Sequence, residues 1–292
     1  NKYLQMILMF QKRDVAKEII DEIDRDLEVC NHLSKPYKVI ARDCVNVSKL
    51  YEKAWTMCVA YTVSSFPIIA SGLTIISHLF SDEPKKYMVH DINVPFREPE
   101  ARFESPYFEL MFVQTVWCSA LYYLNFLGYD GYLITSVYHT CLKLKLCVQG
   151  LVDALKVKDE VLRRQQINGV ILEQIRTYKY VDMLRETFHI WLGTITVCMV
   201  IHICTCVYRL QTHGFDMRYM AFTVASIIYV FSLCKSAGTV KRVAMSTATD
   251  MYLCGWERIN DMRVRKMITY MIMRAQIPLQ IKALTLYEFD ME

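Results

Sequence analysis

The segment from Ala54 to Phe80 contains no Asp, Glu, Lys or Arg. A helix over these 27 residues would be about 40 Å long at ~1.5 Å per residue, enough to cross a hydrocarbon core of roughly 30 Å. Three further segments are similarly poor in charge: 110–142, which only Asp130 interrupts, 187–208, and 219–240. A soluble helix needs charge along its wet face, so this distribution excludes a soluble fold and predicts an all-α membrane protein.

The connecting segments are rich in polar residues. Proline recurs in 81–109, which predicts an extracellular loop with little helix. The remaining connections are predicted as the end of a preceding span plus a cytoplasmic helical loop (1–53), a second cytoplasmic helical loop (143–186), a short extracellular loop (209–218), cytoplasmic anchor helices (241–276) and the start of a last transmembrane helix (277–292).

The distribution of basic residues predicts the orientation of the chain. Lys and Arg number 10 in 1–53, 9 in 143–185 and 9 in 235–282, against 4 in 81–109 and 2 in 209–218. Cytoplasmic loops carry the excess of basic residues in membrane proteins. The N-terminus is therefore predicted to be intracellular.

No enzymatic motif is present: the chain lacks a glycine-rich phosphate loop, His-Glu-x-x-His and Gly-x-Ser-x-Gly. We therefore predict neither an enzyme nor a cofactor, and no basic block indicates nucleic acid as a partner. The 11 cysteines are scattered, which argues against a disulfide framework. Cys204 and Cys206 near His202 form a candidate metal pair, but residues two apart do not share a helix face, so no metal site is predicted.

The last third of the chain contains an ordered set of motif residues: Cys234, Gly238, Tyr252, Trp256, Arg263, Lys266 and Arg274-Ala275-Gln276-Ile277-Pro278. This order resembles the C-terminal signature of insect odorant receptors. Asp130 late in a span, followed by a long basic cytoplasmic segment, is similar to the same family. The resemblance covers essentially the whole chain and is most specific at 234–278.

The resemblance implies a seven-transmembrane receptor whose third to sixth spans are the four present here. The first span and most of the second would be missing, and the seventh would be cut off soon after its start. It also implies an odorant-specific subunit that joins a shared co-receptor in a tetramer, a ligand-gated cation channel. Such a protein would lie among lipids in the cell membrane of olfactory sensory neurons and bind small volatile odorants.

Candidate ligand-binding residues lie in the outer halves of the predicted spans, where an apolar pocket with a few polar groups would suit a volatile ligand. They share helix faces in sets: Ser71, Thr74 and His78; Met111, Gln114 and Cys118; Phe222 and Ser226. The alternative for the first set is close helix packing through small residues. For Gln114 the alternative is a hydrogen bond to a neighbouring helix, and for Phe222 it is packing or contact with lipid.

The candidate subunit anchor comprises Tyr252, Trp256, Arg274, Gln276 and Pro278. Tyr252 and Trp256 are expected one turn apart on a single cytoplasmic helix, in the core of an inner helical layer. Arg274 and Gln276 are expected to tie the last span to this layer, while basic residues at 263–266 face lipid head groups. Asp130 is an intramembrane acid, which can mark a functional site, but its position near the inner interface favours a structural pairing.

Two alternative functions are open at this point. A gustatory receptor of the same superfamily would share the architecture, although the Tyr-x-x-x-Trp and Arg-x-Gln-x-Pro motifs favour the odorant branch. A membrane transporter belongs to a different class and would require inverted repeats with broken helices at matched positions, which the sequence does not show.

Overall fold

The computed structural model describes residues 12–80, 85–89, 98–214, 217–283 and 287–288. Helices make up most of these residues. In chain order the elements are α1 (Arg13–His32), α2 (Lys35–Phe80), a 3-10 helix (Pro99–Phe103), α3 (Tyr107–Lys156), α4 (Glu160–His213), α5 (Met217–Leu253), a 3-10 turn (Trp256–Arg258), α6 (Met262–Ala275), β1 (Lys282–Ala283) and β2 (Tyr287–Glu288).

Four helices, α2 to α5, are long and apolar enough to cross a membrane. They contain 46, 50, 54 and 37 residues, and each includes one of the predicted spans. The prediction of an all-α membrane fold is confirmed. The short apolar segment Tyr3–Phe10, predicted to end a preceding span, lies outside the described residues.

The sequence supplies clear signals where the long helices begin and end. Asp159 caps α4, since its carboxylate accepts hydrogen bonds from the backbone N–H groups of Val161 (2.8 Å) and Leu162 (3.2 Å). Gly214 follows α4 and Gly255 follows α5, both with a φ of 82°. A positive φ is accessible to glycine without steric cost, so these two residues let the chain leave each helix sharply.

Helix α2 continues through Pro67, which removes one backbone donor inside the predicted span. Hydroxyl groups near it donate to backbone carbonyls of the same helix: Thr62 to Cys58 at 2.9 Å and Ser71 to Pro67 at 2.6 Å. A bilayer offers no water to these groups, so intrahelical bonds satisfy hydroxyls that would otherwise be costly to bury.

The chain divides into two compact units: a larger one, Asn1–Leu50 with Leu133–Glu292, and a smaller one, Tyr51–Tyr132. In the larger unit, α6 packs against the C-terminal ends of α3 and α5 and the N-terminal part of α4. We call this packing the inner layer; its buried residues are Cys147, Leu151, Ala154, Ile167, Ala248, Met251, Val264, Ile268, Met271, Ile272 and Ala275. Full burial of a Leu, Ile or Val side chain contributes about 1.5–3 kcal/mol, so this layer is a major source of stability.

A cluster of charged side chains joins α1 to α3 within the larger unit. The Lys143 ammonium contacts Glu22 at 2.6 Å and Asp26 at 2.7 Å, and His139 Nε2 lies 3.0 Å from the same Asp26 oxygen. Lys143 and His139 are buried, and both lie near the ring of Tyr180 on α4. We call these residues the charge cluster. A buried cation is tolerated here because two carboxylates accept hydrogen bonds from it.

The pKa values of the charge cluster follow from burial and pairing. Burial acts to raise the pKa of Asp26, but hydrogen bonds from His139 and Lys143 outweigh it and hold that pKa below 3.8. For Lys143, burial acts to lower the pKa, and the hydrogen bonds to Asp26 and Glu22 raise it above 10.5. The charged forms of both groups are therefore the stable ones across the physiological range.

The end of the chain differs from the prediction that 277–292 begins a transmembrane helix. In the described part of this segment, β1 and β2 form a short antiparallel pair, with Lys282 opposite Glu288. Pro278 lacks a backbone donor and disfavours helical geometry in the residue before it.

Replacing Lys143 with Met should destabilise the larger unit. The change leaves Glu22 and Asp26 without their shared cation while keeping most of the apolar volume. Removing one partner of a buried pair typically costs about 3–5 kcal/mol, and the partial exposure of the two acids reduces this to about 2 kcal/mol. Thermal unfolding of the purified protein measures the effect; the matched control, Lys145→Met, removes an exposed lysine of the same helix and should leave the melting temperature unchanged.

The charge cluster should also make stability depend on pH at both extremes. The folded-state pKa of Asp26 is lowered, so its contribution is present above 3.8 and is lost as pH falls further; that of Lys143 is raised, so its contribution is present below 10.5 and is lost as pH rises further. Melting temperatures measured from about pH 3 to pH 11 test this. A Lys143→Met variant whose acid and alkaline losses equalled those of the parent would contradict the assignment.

Candidate functional site

The predicted set on α2 lies in the smaller unit. Ser71 and Thr74 are half-buried and His78 is exposed. The hydroxyl of Ser71 donates within its own helix, and the hydroxyl of Thr74 donates to the carbonyl of Ala70 at 2.9 Å. Both hydroxyls thus already donate to the backbone. Toward another molecule they can only accept a hydrogen bond, through their oxygen lone pairs.

An extended segment, residues 85–89, lies against the outer end of α2. The backbone N–H of Tyr87 donates to the Thr74 hydroxyl at 2.9 Å, and that of Lys85 donates to the Ser77 hydroxyl at 2.7 Å. Two following side chains, Met88 and Val89, are buried. Thr74 therefore holds this segment in place, a contact that helix periodicity alone did not reveal.

The same segment also contacts the start of α3 within the smaller unit. Lys86 Nζ lies 3.7 Å from the Glu109 carboxylate and 4.9 Å from the centre of the Phe108 ring. The lysine is about one-quarter exposed and the glutamate about half exposed, so the ion pair adds little stability by itself. Together with the contacts to Thr74 and Ser77, this ion pair holds residues 85–89 against both α2 and α3.

The predicted set on α3 consists of Met111 and Cys118, which are half-buried, and Gln114, which is exposed. Thr115, one residue beyond Gln114, is buried instead, and its hydroxyl donates to the Met111 carbonyl at 2.7 Å. The amide of Gln114 thus lies on the open side of α3, while Thr115 forms the packed side. The exposed amide retains both donor and acceptor capacity for a ligand or another helix.

In the larger unit, the predicted residues Phe222 and Ser226 lie on α5 beside α4. The Phe222 ring meets the His202 ring edge-on, with centroids 6.1 Å apart. His202 Nε2 in turn lies 3.7 Å from the Cys206 thiol, and the buried Thr223 follows Phe222 on α5. We call these five residues the outer cluster.

One side of the outer cluster, formed by Thr223 and Ser226, is polar and buried. Thr223 and Ser226 are buried, and their hydroxyls donate to the carbonyls one turn earlier, each at 2.8 Å. Sequence reasoning placed Phe222 and Ser226 in a site but did not include His202, Cys206 or Thr223. The spacing of four between His202 and Cys206 was the available signal, because it puts both side chains on one helix face.

The structure also separates the two cysteines that were considered for a metal. Cys206 faces His202, whereas Cys204 is exposed. Within the described residues no group of three or more His, Cys, Asp or Glu side chains could hold a metal ion. His202 and Cys206 are therefore a polar pair in the outer cluster.

Asp130 is 1% exposed, and its carboxylate accepts a hydrogen bond from Trp55 Nε1 at 3.2 Å. The two residues belong to α3 and α2 of the smaller unit. An indole N–H is a donor without acceptor capacity, so it matches a carboxylate in an apolar setting. The contact agrees with the structural pairing expected for Asp130.

The expectation of a continuous helix carrying both Tyr252 and Trp256 is wrong. Helix α5 ends at Leu253, Gly255 adopts the left-handed conformation, and Trp256 begins a 3-10 turn. The indole N–H of Trp256 donates to the Tyr252 carbonyl at 3.1 Å, so the tryptophan closes the end of α5. Trp256 packs on the inner layer, while Tyr252 is 60% exposed.

The remaining predicted anchor residues, Arg274, Gln276 and Pro278, are exposed at the end of α6. The Arg274 guanidinium lies 4.4 Å from the centre of the Tyr178 ring on α4, a cation–π contact. Gln174, which sequence reasoning missed, donates to the Tyr178 hydroxyl at 2.9 Å and to the Met271 carbonyl at 3.2 Å. These contacts tie α4 to α6.

Comparison with known proteins finds a family and two solved structures that resemble this chain. The family model of the 7tm odorant receptors matches residues 2–292. Two solved structures of the insect olfactory receptor OR5 from Machilis hrabei are similar in fold: the complex with eugenol has a TM-score of 0.67 and the other structure 0.62. Each is 14% identical, over 97% of this chain and 74% of that chain. No curated protein matches the chain.

The family match confirms the resemblance seen in the C-terminal motifs and the prediction of a receptor. It also favours the odorant branch over the gustatory alternative. Together with four membrane-length helices, it establishes that this multi-pass membrane protein belongs to the 7tm odorant receptor family.

Proposed function

We propose that the chain is an odorant-specific subunit that binds a small volatile ligand in its outer half and gates a cation channel together with a shared co-receptor. Family membership supports the receptor role. The observation that carries the ligand site is the outer cluster, in which an aromatic wall and several polar groups converge at the outer ends of α4 and α5. We further propose that the protein functions in the cell membrane of olfactory sensory neurons, as part of a tetramer.

The chemistry of the outer cluster suits a mainly apolar ligand with one hydrogen-bonding oxygen. Phe222 offers a ring face or edge for stacking, and Cys206 a soft, polarizable surface. His202 is exposed and its ring can donate or accept according to tautomer. Because Thr223 and Ser226 already donate to backbone, they would serve as acceptors toward a ligand hydroxyl.

In the smaller unit, His78 and Gln114 are the strongest remaining candidates for ligand contact, since both side chains are exposed. Ser71, Met111 and Cys118 would form half-buried wall positions. Thr74 has a structural task in holding residues 85–89, so its replacement should alter the outer end of α2 whether or not it touches a ligand.

The proposed orientation follows the basic residues: the inner layer is cytoplasmic and the outer cluster lies in the outer half of the membrane. The inner layer would then be the anchor that holds subunits together. Arg274, Gln276 and Pro278 lie exposed at its edge, as does Tyr252. An exposed aromatic beside a packed core is a common feature of subunit contacts.

Co-expression tests the function directly. The full receptor would be expressed in cells that lack native odorant receptors, with and without the shared co-receptor, and cation current recorded during exposure to an odorant panel. We expect current only when both subunits and an active odorant are present. A surface-expressed pair that conducts no current across a broad panel, tastants included, would contradict the proposal.

Replacing Phe222 with Ala should weaken the response to an active odorant. Loss of the ring removes stacking area worth about 1–2 kcal/mol, so the half-maximal concentration should rise about tenfold. Dose–response currents measure this, with surface protein quantified in parallel.

The matched control is Phe231→Ala, which removes a ring of the same helix that is 54% exposed. This variant should keep the parent's dose–response curve. Equal losses in both variants would indicate a general effect on α5 and would remove Phe222 from the ligand site.

A further inference from the structure

A groove of about 440 Å³ lies between α4 and α6 on the flank of the inner layer. Its floor is apolar and includes Ile171, Ile175 and Met267, and its rim carries Tyr178, Lys179 and Arg274. All of these residues belong to the larger unit. The groove lies far along the chain from the outer cluster, and the proposed odorant site makes no use of it.

The rim of the groove has an excess of positive charge. Lys179 and Arg274 are exposed, and among the described residues neither has a carboxylate partner within ion-pair distance. The one acid that lines the groove, Asp182, is paired with Arg185 at 2.9 Å. Two exposed cations beside a groove whose one lining acid is already paired favour an anionic occupant.

Tyr178, which is buried beside Lys179 and Arg274, adds a third hydrogen-bond donor. Its hydroxyl accepts a hydrogen bond from Gln174 at 2.9 Å, so the hydroxyl proton of Tyr178 remains able to donate. The ring of Tyr178 lies under the Arg274 guanidinium at 4.4 Å, which holds the planar fork of donors at the groove. A fixed guanidinium suits two oxygens of one phosphate group better than a mobile cation does.

The position of the groove along α4 brings it to the membrane surface. Asp182 precedes Thr187, where the predicted span begins, by about 8 Å at ~1.5 Å per residue. Beyond it, Ile190, Val197 and Ile201 are exposed and lie within about 80° of Ile175 around the helix axis at ~100° per residue. Between the groove and this exposed apolar stripe, the same face of α4 carries Asp182 and Glu186, which are paired with Arg185 and Lys12.

We propose that this groove binds an acidic phospholipid of the cytoplasmic leaflet. The head-group phosphate lies between Lys179 and Arg274 and accepts from Tyr178, while an acyl chain follows the apolar stripe of α4. A free phosphate compound would use the rim alone and leave the apolar floor and stripe unoccupied, so the lipid fits more of the surface. Acidic lipids are enriched on this side of the membrane, where each nearby Lys or Arg contributes about 1 kcal/mol.

The test uses the full receptor purified in neutral detergent. It is titrated with water-soluble short-chain phosphatidylserine, and bound lipid is counted by native mass spectrometry; short-chain phosphatidylcholine and inositol trisphosphate serve as comparison probes. We expect phosphatidylserine to bind at least about tenfold more tightly than phosphatidylcholine, and the Lys179→Gln/Arg274→Gln double variant to lose this preference. No odorant or current is involved, so the result is independent of the proposed receptor function.

Two further variants separate the groove from general attraction. Lys158→Gln removes an exposed charge between α3 and α4 that does not line the groove and should leave binding unchanged. Lys179→Glu alone reverses a charge on an exposed side chain, so it should fold normally and still abolish the preference. Melting temperatures of all variants confirm that they are folded.

Four outcomes would overturn the proposal. Unchanged lipid binding in the folded Lys179→Glu variant would exclude the groove, and an equal loss in Lys158→Gln would indicate diffuse electrostatic attraction. Inositol trisphosphate that displaces the lipid fully at equal concentration would assign the site to a soluble phosphate. A changed oligomeric state of the double variant with unaltered lipid binding would assign the groove to a second copy of the chain.

Discussion

The inner layer depends on the burial of apolar side chains where a short helix, α6, crosses the inner ends of three long ones. Residues such as Leu151, Ile167 and Ile268 are fully buried there, whereas the apolar stretches of α2 and α3 keep most of their side chains on the surface. Helices in lipid gain little from hiding apolar groups from one another, because the acyl chains are equally apolar. Tight packing is therefore concentrated where the helices emerge into water.

Much of the fold follows from the sequence because the bilayer makes charge costly. The uncharged stretch at 54–80 and its three counterparts each fall within one long helix. The helix starts after Asp159 and Asp261 were harder to infer, because each carboxylate caps a helix only where the backbone N–H groups that follow are placed to donate to it. The end of α5 was misjudged although Gly255, between Tyr252 and Trp256, is a recognisable stop signal.

For the candidate site, the sequence could predict which residues share a face of one helix, but not which helices lie side by side. Periodicity places Phe222 and Ser226 together on α5, but it cannot show that His202 and Cys206 of another helix lie beside them. Likewise, the charge cluster joins Asp26 to His139 across 113 positions of sequence, and the partner of Thr74 lies in a segment with no periodic pattern. Such pairings depend on tertiary packing, which a single sequence does not encode in a local signal.

The length of α4 has a mechanical consequence. Its 54 residues form one helix from the Asp159 cap to Gly214, about 80 Å at ~1.5 Å per residue. Helix α4 contains no proline, a common cause of sharp kinks, so one unbroken helix connects the outer cluster to the inner layer. A tilt of about 3° would displace the far end of such a rod by about 4 Å. A ligand at the proposed site near Cys206 that tilts α4 would therefore move Gln174 and Tyr178 further than the residues it touches.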